Sequence, residues 1–272
     1  MRIRLPLLPL TAVLILPAAA VGAPRSISTE FTTLDLSNLS PADVAAPAGQ
    51  PAAATDQLSQ IDQAYLNRHI GRNLEDSNAA LRNLLAAQPR NPDLLWRVAR
   101  GLHDAGLRQA GRDEKLKSFE EGESLLSAAL SQRPKDAVIH YWLARIYGDQ
   151  NQIKRTLGLA KAMRRELEAS IGLDARHADA HHYLGELLRQ LPGIFGGDKH
   201  KAVAELEEAV RLAPNEASHY SALAEAYLDV KDNPRAIETA RKVLAIKASD
   251  DPGGYDASAK SARELLQKLG AS

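Results

Sequence analysis

The chain contains no cysteine, and aromatic residues make up only 4% of its 272 residues. The absence of cysteine excludes disulfides, thiolate catalysis, cysteine-ligated metal sites and a lipid-modified N-terminal cysteine. The scarcity of aromatic residues favours helices over strands, which are enriched in aromatic and β-branched side chains. Neither sign of charge is in excess, since 34 basic residues balance 34 acidic ones. This balance is not typical of a nucleic-acid-binding protein or of a polybasic membrane protein.

Residues 1–23 have the layout of a secretory signal peptide. Two arginines precede a short apolar stretch that contains three prolines and ends in small residues at "VGA". The stretch is too short and too rich in proline to span a bilayer comfortably. We therefore predict cleavage after Ala23, export to the periplasm or beyond the cell, and no stable membrane insertion afterwards.

Residues 24–56 are predicted to form a disordered linker. The second half of the segment is an alanine- and proline-rich tract with almost no charge, which is the composition of a linker. The first half carries isolated apolar residues in a polar setting, including Ile27, Phe31 and Leu36. Disorder is the favoured reading of that half, and a short docking motif is the alternative.

The sequence from Gln57 to about residue 270 is predicted to form a series of amphipathic helices. Apolar residues recur every three or four positions, and proline or Asn/Asp-rich turns separate the helical stretches. The turns recur as well, because four similar stretches carry a proline or its replacement at Pro89, Pro134, Ala175 and Pro214. Each stretch reads as the end of one helix, a turn and the start of the next, so the pattern predicts tandem helix pairs.

The last two units carry the sequence pattern of a known repeat. The final unit has Tyr220, Leu223, Ala224 and Tyr227 in its first helix and Ala236 in its second. The preceding unit matches at Leu184, Gly185, Ala202, Leu206, Ala209 and Pro214. These units resemble the tetratricopeptide repeat (TPR), and the resemblance weakens toward the N-terminus. It implies an all-α fold: a right-handed superhelical solenoid of antiparallel helix pairs over residues 57–270, closed by a capping helix.

Some helix pairs are longer than the usual 34-residue repeat, and one contains a "GGDxxKA" turn. Long pairs with this turn are similar to the T-component family associated with periplasmic TRAP transporters. They are also similar to helical-repeat proteins of the microtubule-regulator type. The first of these resemblances implies, as an alternative function, an accessory role in solute transport.

The glycine-rich segment 191–201 interrupts two helical stretches. It is not a phosphate-binding loop, because such a loop follows a strand and is followed by Lys-Ser or Lys-Thr. We predict a structural connector in which Pro192 ends one helix and Asp198 caps the next. Ile194 and Phe195 are expected to fold back onto the helix pair as a small satellite core.

The sequence contains no catalytic motif. A metalloprotease HExxH, a nucleophile elbow and a Ser-Lys pair are all missing, so we predict a non-enzyme that needs no cofactor. The spacing of His177, His182 and Glu186 could chelate a metal. A packing or solvated role is favoured instead, because His181 takes the aromatic core position and directs His182 elsewhere.

The TPR resemblance implies a partner-binding surface in the concave groove, formed by first-helix residues beside the core positions. These residues are Trp96, Arg97, Arg100, Tyr141, Trp142, Arg145, His182, Tyr183, Glu186, Arg189 and Glu225. Arg100 and Arg145 occupy equivalent places in successive units, so we expect a row of exposed guanidinium groups that binds a carboxylate-bearing segment. The alternative is that Trp96 and Trp142 simply pack between helices.

These observations predict a non-catalytic protein-interaction scaffold of the cell envelope that binds a peptide or partner protein in its groove. The alternative is a solute-binding accessory component of a periplasmic transport system. The scaffold requires an open polar groove, whereas the transport component requires a largely apolar cavity near Ile194 and Phe195.

Overall fold

A computed structural model of the chain describes the backbone of residues 51–271 and the side chains from Asp56 onward. Within this range the chain forms helices and no strand. The α-helices are α1 (Pro51–Leu66), α2 (Asn73–Ala87), α3 (Pro92–Arg108), α4 (Arg112–Gln132), α5 (Ala137–Lys154), α6 (Leu157–Leu173), α7 (Ala178–Gln190), α8 (Lys199–Leu212), α9 (Ala217–Asp229), α10 (Asn233–Ala245) and α11 (Pro252–Lys268). None of these helices is both long and apolar enough to cross a membrane.

The predicted signal peptide and the part of the predicted linker up to residue 50 lie outside the described residues. Helix α1 begins at Pro51, so residues 51–56, predicted as linker, are helical. The physical reason is the alanine run of this segment, since alanine has the highest helix propensity and proline is tolerated in the first turn.

The repeated turn positions separate the helices as the sequence predicts. Pro89, Pro134, Ala175 and Pro214 each lie in a short connection between two helices. Side-chain caps fix several of the helix starts, which follows from the need to satisfy the free N–H groups of a first turn. One example is Asp136, whose carboxylate accepts hydrogen bonds from two backbone N–H groups at the start of α5.

The helices pack as consecutive pairs. The pairs α3–α4, α5–α6, α7–α8 and α9–α10 have the most extensive contacts, α1–α2 form a looser first pair, and α11 packs on both helices of the last pair. Four clusters of buried apolar side chains follow one another along the chain, and each spans neighbouring helices. The predicted all-α helical solenoid is therefore confirmed.

Small residues let the paired helices approach closely. A Cβ atom added at Gly185 of α7 would lie 2.6 Å from Cγ of Leu206 and 3.1 Å from the backbone oxygen of Ala202, both in α8. A Cβ atom at Gly122 of α4 would lie 2.5 Å from Cδ1 of Ile146. At Gly185 one of the close atoms belongs to the backbone, so the crossing leaves room only for glycine, whereas at Gly122 the close atom is the movable end of a side chain.

We expect Gly185→Ala to destabilise the protein by about 1–3 kcal/mol, the usual cost of overpacking a core. The direction of the stability change is informative, because alanine is a better helix former than glycine by about 1 kcal/mol and would stabilise a helix at an unconstrained site. Gly172→Ala is the matched control, since a Cβ atom at Gly172 would meet nothing within 4 Å. Urea denaturation followed by circular dichroism should show opposite shifts, and equal shifts would contradict the close crossing.

The connector at residues 191–201 contains a short 3-10 turn, Gly193–Phe195, and Asp198 caps α8 as expected. The expected satellite core is wrong for Ile194, whose side chain is 82% exposed. Backbone hydrogen bonds hold the turn, and Arg164 donates to the carbonyl oxygen of Gly196, the residue that follows it. Because polar contacts fix the segment, it needs no apolar anchor.

The first helices of successive pairs line one side of the solenoid. Helix α3 contacts α5, α5 contacts α7, and α7 contacts α9, whereas the second helices of successive pairs barely touch within the described residues. The first helices are thus the closer set and lie on the inside of the curve. We call the surface formed by α1, α3, α5, α7 and α9 on this side the inner wall.

The two ends of the described solenoid meet. Arg68, which follows α1, places Nη2 2.7 Å from Oδ2 of Asp251, the residue that precedes α11. A Cβ atom at Gly253 would lie 3.3 Å from Cβ of His69. The segment after the first helix therefore contacts the start of the last helix, across 183 positions of sequence.

Candidate interaction surface on the inner wall

The N-terminal part of the inner wall is organised around Asp62 of α1. Its carboxylate accepts from Nε and Nη2 of Arg97, at 3.1 and 2.8 Å, and from Nη2 of Arg100, at 2.7 Å. The Arg100 guanidinium also lies over the ring of Tyr65, 3.7 Å from its centroid, and 5.2 Å from that of Trp96. Arg100 is only 6% exposed. This arginine is therefore enclosed by the chain itself.

The middle of the inner wall contains a buried histidine between two carboxylates. Nδ1 of His103 lies 2.8 Å from Asp104 and Nε2 lies 2.7 Å from Asp149. Burial and the charge of Arg145 both act to lower the pKa of His103, but the two carboxylates outweigh them and raise it. Burial alone would raise the pKa of Asp104, whereas the hydrogen bond and charge of His103 lower it to about 2. The two carboxylates thus favour the protonated form of this imidazole.

Arg145 of α5 lies beside this histidine and among aromatic rings. Its Nη2 is 3.2 Å from Nε2 of His103, and its Nη1 donates to the hydroxyl of Tyr141 at 3.1 Å. Its guanidinium lies 4.0 Å from the ring centroid of Tyr183 and 5.8 Å from that of Trp142. Burial raises the pKa of Tyr183 to about 12 against the opposing charge of Arg145, so the phenol stays neutral.

The inner wall continues into α7 and α9 through two histidines in contact. The rings of His182 and His219 are 4.8 Å apart, and Nε2 of His219 lies 3.0 Å from Oδ1 of Asp179. Burial and the neighbouring His219 lower the pKa of His182 to about 3. His177 contacts the ring of Tyr141 instead. In the described part of the chain, no three His, Asp or Glu side chains are grouped as metal ligands.

The C-terminal part of the inner wall gathers three carboxylates around one guanidinium. Arg189 of α7 lies 3.1 Å from Glu186, 2.6 Å from Glu225 and 3.0 Å from Asp229. Burial alone would lower the pKa of Arg189, but these carboxylates raise it. The arginine side chain is 13% exposed, compared with 42% for Glu225 and 30% for Asp229. The surface left to solvent at this end is therefore acidic.

The structure brings all the predicted partner-binding residues into these contacts, but it contradicts the expected exposure of Arg100. Arg100 is not an open member of a guanidinium row, because Asp62 and Tyr65 enclose it, whereas Arg145 is half-buried beside the ring of Tyr183. The sequence shows which helix face carries an arginine, but it does not show which groups of the adjacent repeats face that arginine.

Sequence reasoning missed two carboxylates of the inner wall, Asp104 and Asp149. Asp104, Asp149 and Asp229 each lie fifteen residues after a turn position, at the same place in three units. This recurrence is a readable signal, because repeated units place equivalent residues on the same surface. Acidic residues at this repeat position therefore lie on the same surface as the arginines of the first helices.

Comparisons with known proteins agree with this architecture. The model of the family "Regulator of microtubule dynamics protein 1-3" matches residues 57–191, just under half of the chain. No protein in the curated set that was compared has a significantly similar sequence.

Among solved structures, TTC0263, described as a thermophilic TPR protein in Thermus thermophilus, is 20% identical, with a TM-score of 0.57 over 77% of this chain and 98% of that one. MamA from residue 41 onward, of Desulfovibrio magneticus RS-1, is 19% identical with a TM-score of 0.47, over 71% of this chain and 94% of that one. The likeness to the Thermus protein concerns the fold alone, and it shows that this chain folds as a helical-repeat solenoid.

Proposed function

We propose that the chain is a non-catalytic scaffold of the cell envelope that binds a peptide or partner protein along its inner wall. The observation that carries the proposal is the inner wall itself, where successive first helices present charged and aromatic side chains on one continuous surface. Stacked helix pairs commonly use such a concave surface for binding. The proposed location in the periplasm or outside the cell is supported by the signal-peptide layout of residues 1–23.

The chemistry of the wall favours a basic partner segment over the carboxylate-bearing segment first expected. At the N-terminal end, Asp62 already contacts both Arg97 and Arg100, so neither guanidinium is free to pair with a partner's carboxylate. Near α9, by contrast, Glu225 and Asp229 share a single arginine and remain partly exposed. A lysine or arginine of a partner would find unneutralised carboxylates there, and complementary charge favours both encounter and register.

The alternative, a solute-binding accessory component, requires an apolar cavity near Ile194 and Phe195. Ile194 is 82% exposed, so its side chain does not line an enclosed cavity. The scaffold is for this reason the function that the geometry supports best.

We expect Glu225→Gln with Asp229→Asn to reduce partner recovery roughly tenfold, which corresponds to about 1.4 kcal/mol of binding free energy. These substitutions preserve shape and remove charge, so the fold should persist. The measurement is affinity capture from the native envelope with quantitative mass spectrometry, using the mature protein as bait.

Glu238→Gln with Glu264→Gln is the matched control, because both side chains are more than 60% exposed and each pairs with a lysine one helical turn away. Partners specific to the wild type should be recovered equally well by the control variant. If partner recovery falls with the control variant and stays complete with the inner-wall variant, the binding surface lies on the α10–α11 side instead.

A further inference from the structure

A buried histidine in α7 faces an acceptor at each ring nitrogen. Nδ1 of His181 lies 2.6 Å from Oε2 of Glu205 in α8, and Nε2 lies 3.2 Å from the backbone oxygen of Ala175 in the preceding turn. His181 is 8% exposed. A neutral imidazole has one N–H and can donate to only one of these oxygens, whereas the imidazolium ion has two and can donate to both. The geometry therefore fits the protonated ring.

The same arrangement occurs one unit earlier in the chain. Nδ1 of His140 in α5 lies 2.7 Å from Oε2 of Glu166 in α6, and Nε2 lies 3.1 Å from the oxygen of Pro134. His140 follows its turn position by six residues, as His181 follows Ala175. The two sites differ in one respect, since Arg165 also donates to Glu166. In the described residues, His181 is the one cationic side chain that contacts Glu205.

The charges around His181 favour its protonated form. The hydrogen bond with Glu205 raises the pKa of His181, burial opposes the rise, and the charges of Glu205 and Glu208 add to it. His177, one turn earlier on the same helix, does not compete, because burial lowers its pKa. Arg211 lies farther out and pairs with Glu208. Among residues 56–271, no cation in direct contact with the ring offsets the two carboxylates of α8.

We propose that His181 is a proton-dependent link between the two helices of the α7–α8 pair. The protonated ring ties α8 and the turn before α7 to α7, and loss of the proton releases one of the two contacts. A histidine whose pKa is raised by folding contributes stability that is fully present below its unfolded value, about 6.5, and is lost as pH rises through the folded pKa. The pair therefore tightens toward mildly acidic pH and loosens toward alkaline pH.

This link would affect the inner wall because α7 also carries Tyr183, Glu186 and Arg189. A more rigid α7 holds these side chains in place before a partner arrives, which reduces the entropy lost on binding. His182, the next residue in the chain, does not share the behaviour, since burial and His219 lower its pKa to about 3. Two adjacent histidines thus titrate on opposite sides of the ordinary value.

The test is an NMR pH titration of the histidine ring nitrogens in the mature chain. We expect both nitrogens of His181 to show imidazolium shifts at pH 6 and the transition to lie above the ordinary histidine pKa, while His182 stays neutral throughout. Hydrogen exchange of α7 and α8, corrected for intrinsic rates, should be several-fold slower at pH 6 than at pH 8.5. Titration of His181 at or below the ordinary value would overturn the proposal.

The variant His181→Tyr distinguishes the effect of His181 protonation from a general effect of pH on hydrogen exchange. Tyrosine occupies the equivalent position in the next unit, as Tyr220, so the variant keeps an aromatic side chain that the repeat accommodates. The pH dependence of exchange in α7 and α8 should disappear in this variant and persist in the exposed control His200→Tyr. If the pH dependence persists in His181→Tyr, another group controls the exchange of α7 and α8. If the His181–Glu205 pair is responsible, Glu205→Gln should also abolish the pH dependence.

Discussion

Replacing Arg100 and Arg145 together by alanine is expected to lower the free energy of unfolding by about 3 kcal/mol or more. Arg100 is 6% exposed and contacts Asp62 and Tyr65, so its removal leaves a cavity and weakens the neutralisation of a carboxylate. Removal of Arg145 takes away a hydrogen bond to Tyr141 and a contact with the face of another ring. Urea denaturation followed at 222 nm measures the loss.

The control is Arg164→Ala with Arg165→Ala on α6. The Arg165 side chain is 68% exposed and that of Arg164 is 36% exposed, and both pair with glutamates on their own helix. The Arg164–Glu168 pair is exposed, and such a pair contributes about 0–1 kcal/mol. Glu166 is buried, but it keeps His140 as a partner when Arg165 is removed. If the inner-wall variant is as stable as this control, the two arginines are free for a partner and the network is not structural.

The repeat period made the helices and turns predictable. Apolar spacing located each helix pair, and the equivalent turns at Pro89, Pro134 and Pro214 fixed the boundaries between pairs. Gly185 was identified in the same way, because a small residue at a repeat position marks a close helix crossing. These patterns involve residues within one or two helical turns of each other, so they can be recognised in a short stretch of sequence.

The environment of each polar side chain was less predictable, because it depends on residues one repeat or more away. Asp62 meets Arg100 across 38 positions, and Glu205 meets His181 across 24. The sequence placed His181 at a core position, where it is indeed buried, but gave no indication of its carboxylate partner. The partner-binding role assigned to the inner wall stays a prediction.

The contact between the two ends of the solenoid could not be predicted from any single unit. Each unit adds a small rotation, and the sum of these rotations over five pairs decides whether the ends meet. Here the curve brings Arg68 to Asp251 and His69 to Gly253. The closure is a property of the whole array, and it can be tested directly because the chain has no cysteine of its own.

We expect His69→Cys with Gly253→Cys to form a disulfide under mild oxidation and to raise the free energy of unfolding by up to about 5 kcal/mol. The Cβ atoms would lie 3.3 Å apart, within a few tenths of an ångström of the usual range of about 3.5–4.5 Å. Both positions are exposed, so the substitutions themselves cost little. The large gain follows from the length of the closed loop, since the cross-link restricts nearly the whole described chain in the unfolded state.

Mass spectrometry after thiol alkylation reports whether the bond forms, and urea denaturation with and without reductant isolates its contribution. His69→Cys with Gly172→Cys is the control, because Gly172 has no atom outside its own helical turn within 4 Å and its thiol should stay reduced. A disulfide that forms no faster in the 69–253 pair than in this control would show that the ends are apart. The inner wall would then be open between α1 and α11, and a partner could enter it from that side without breaking the Arg68–Asp251 ion pair.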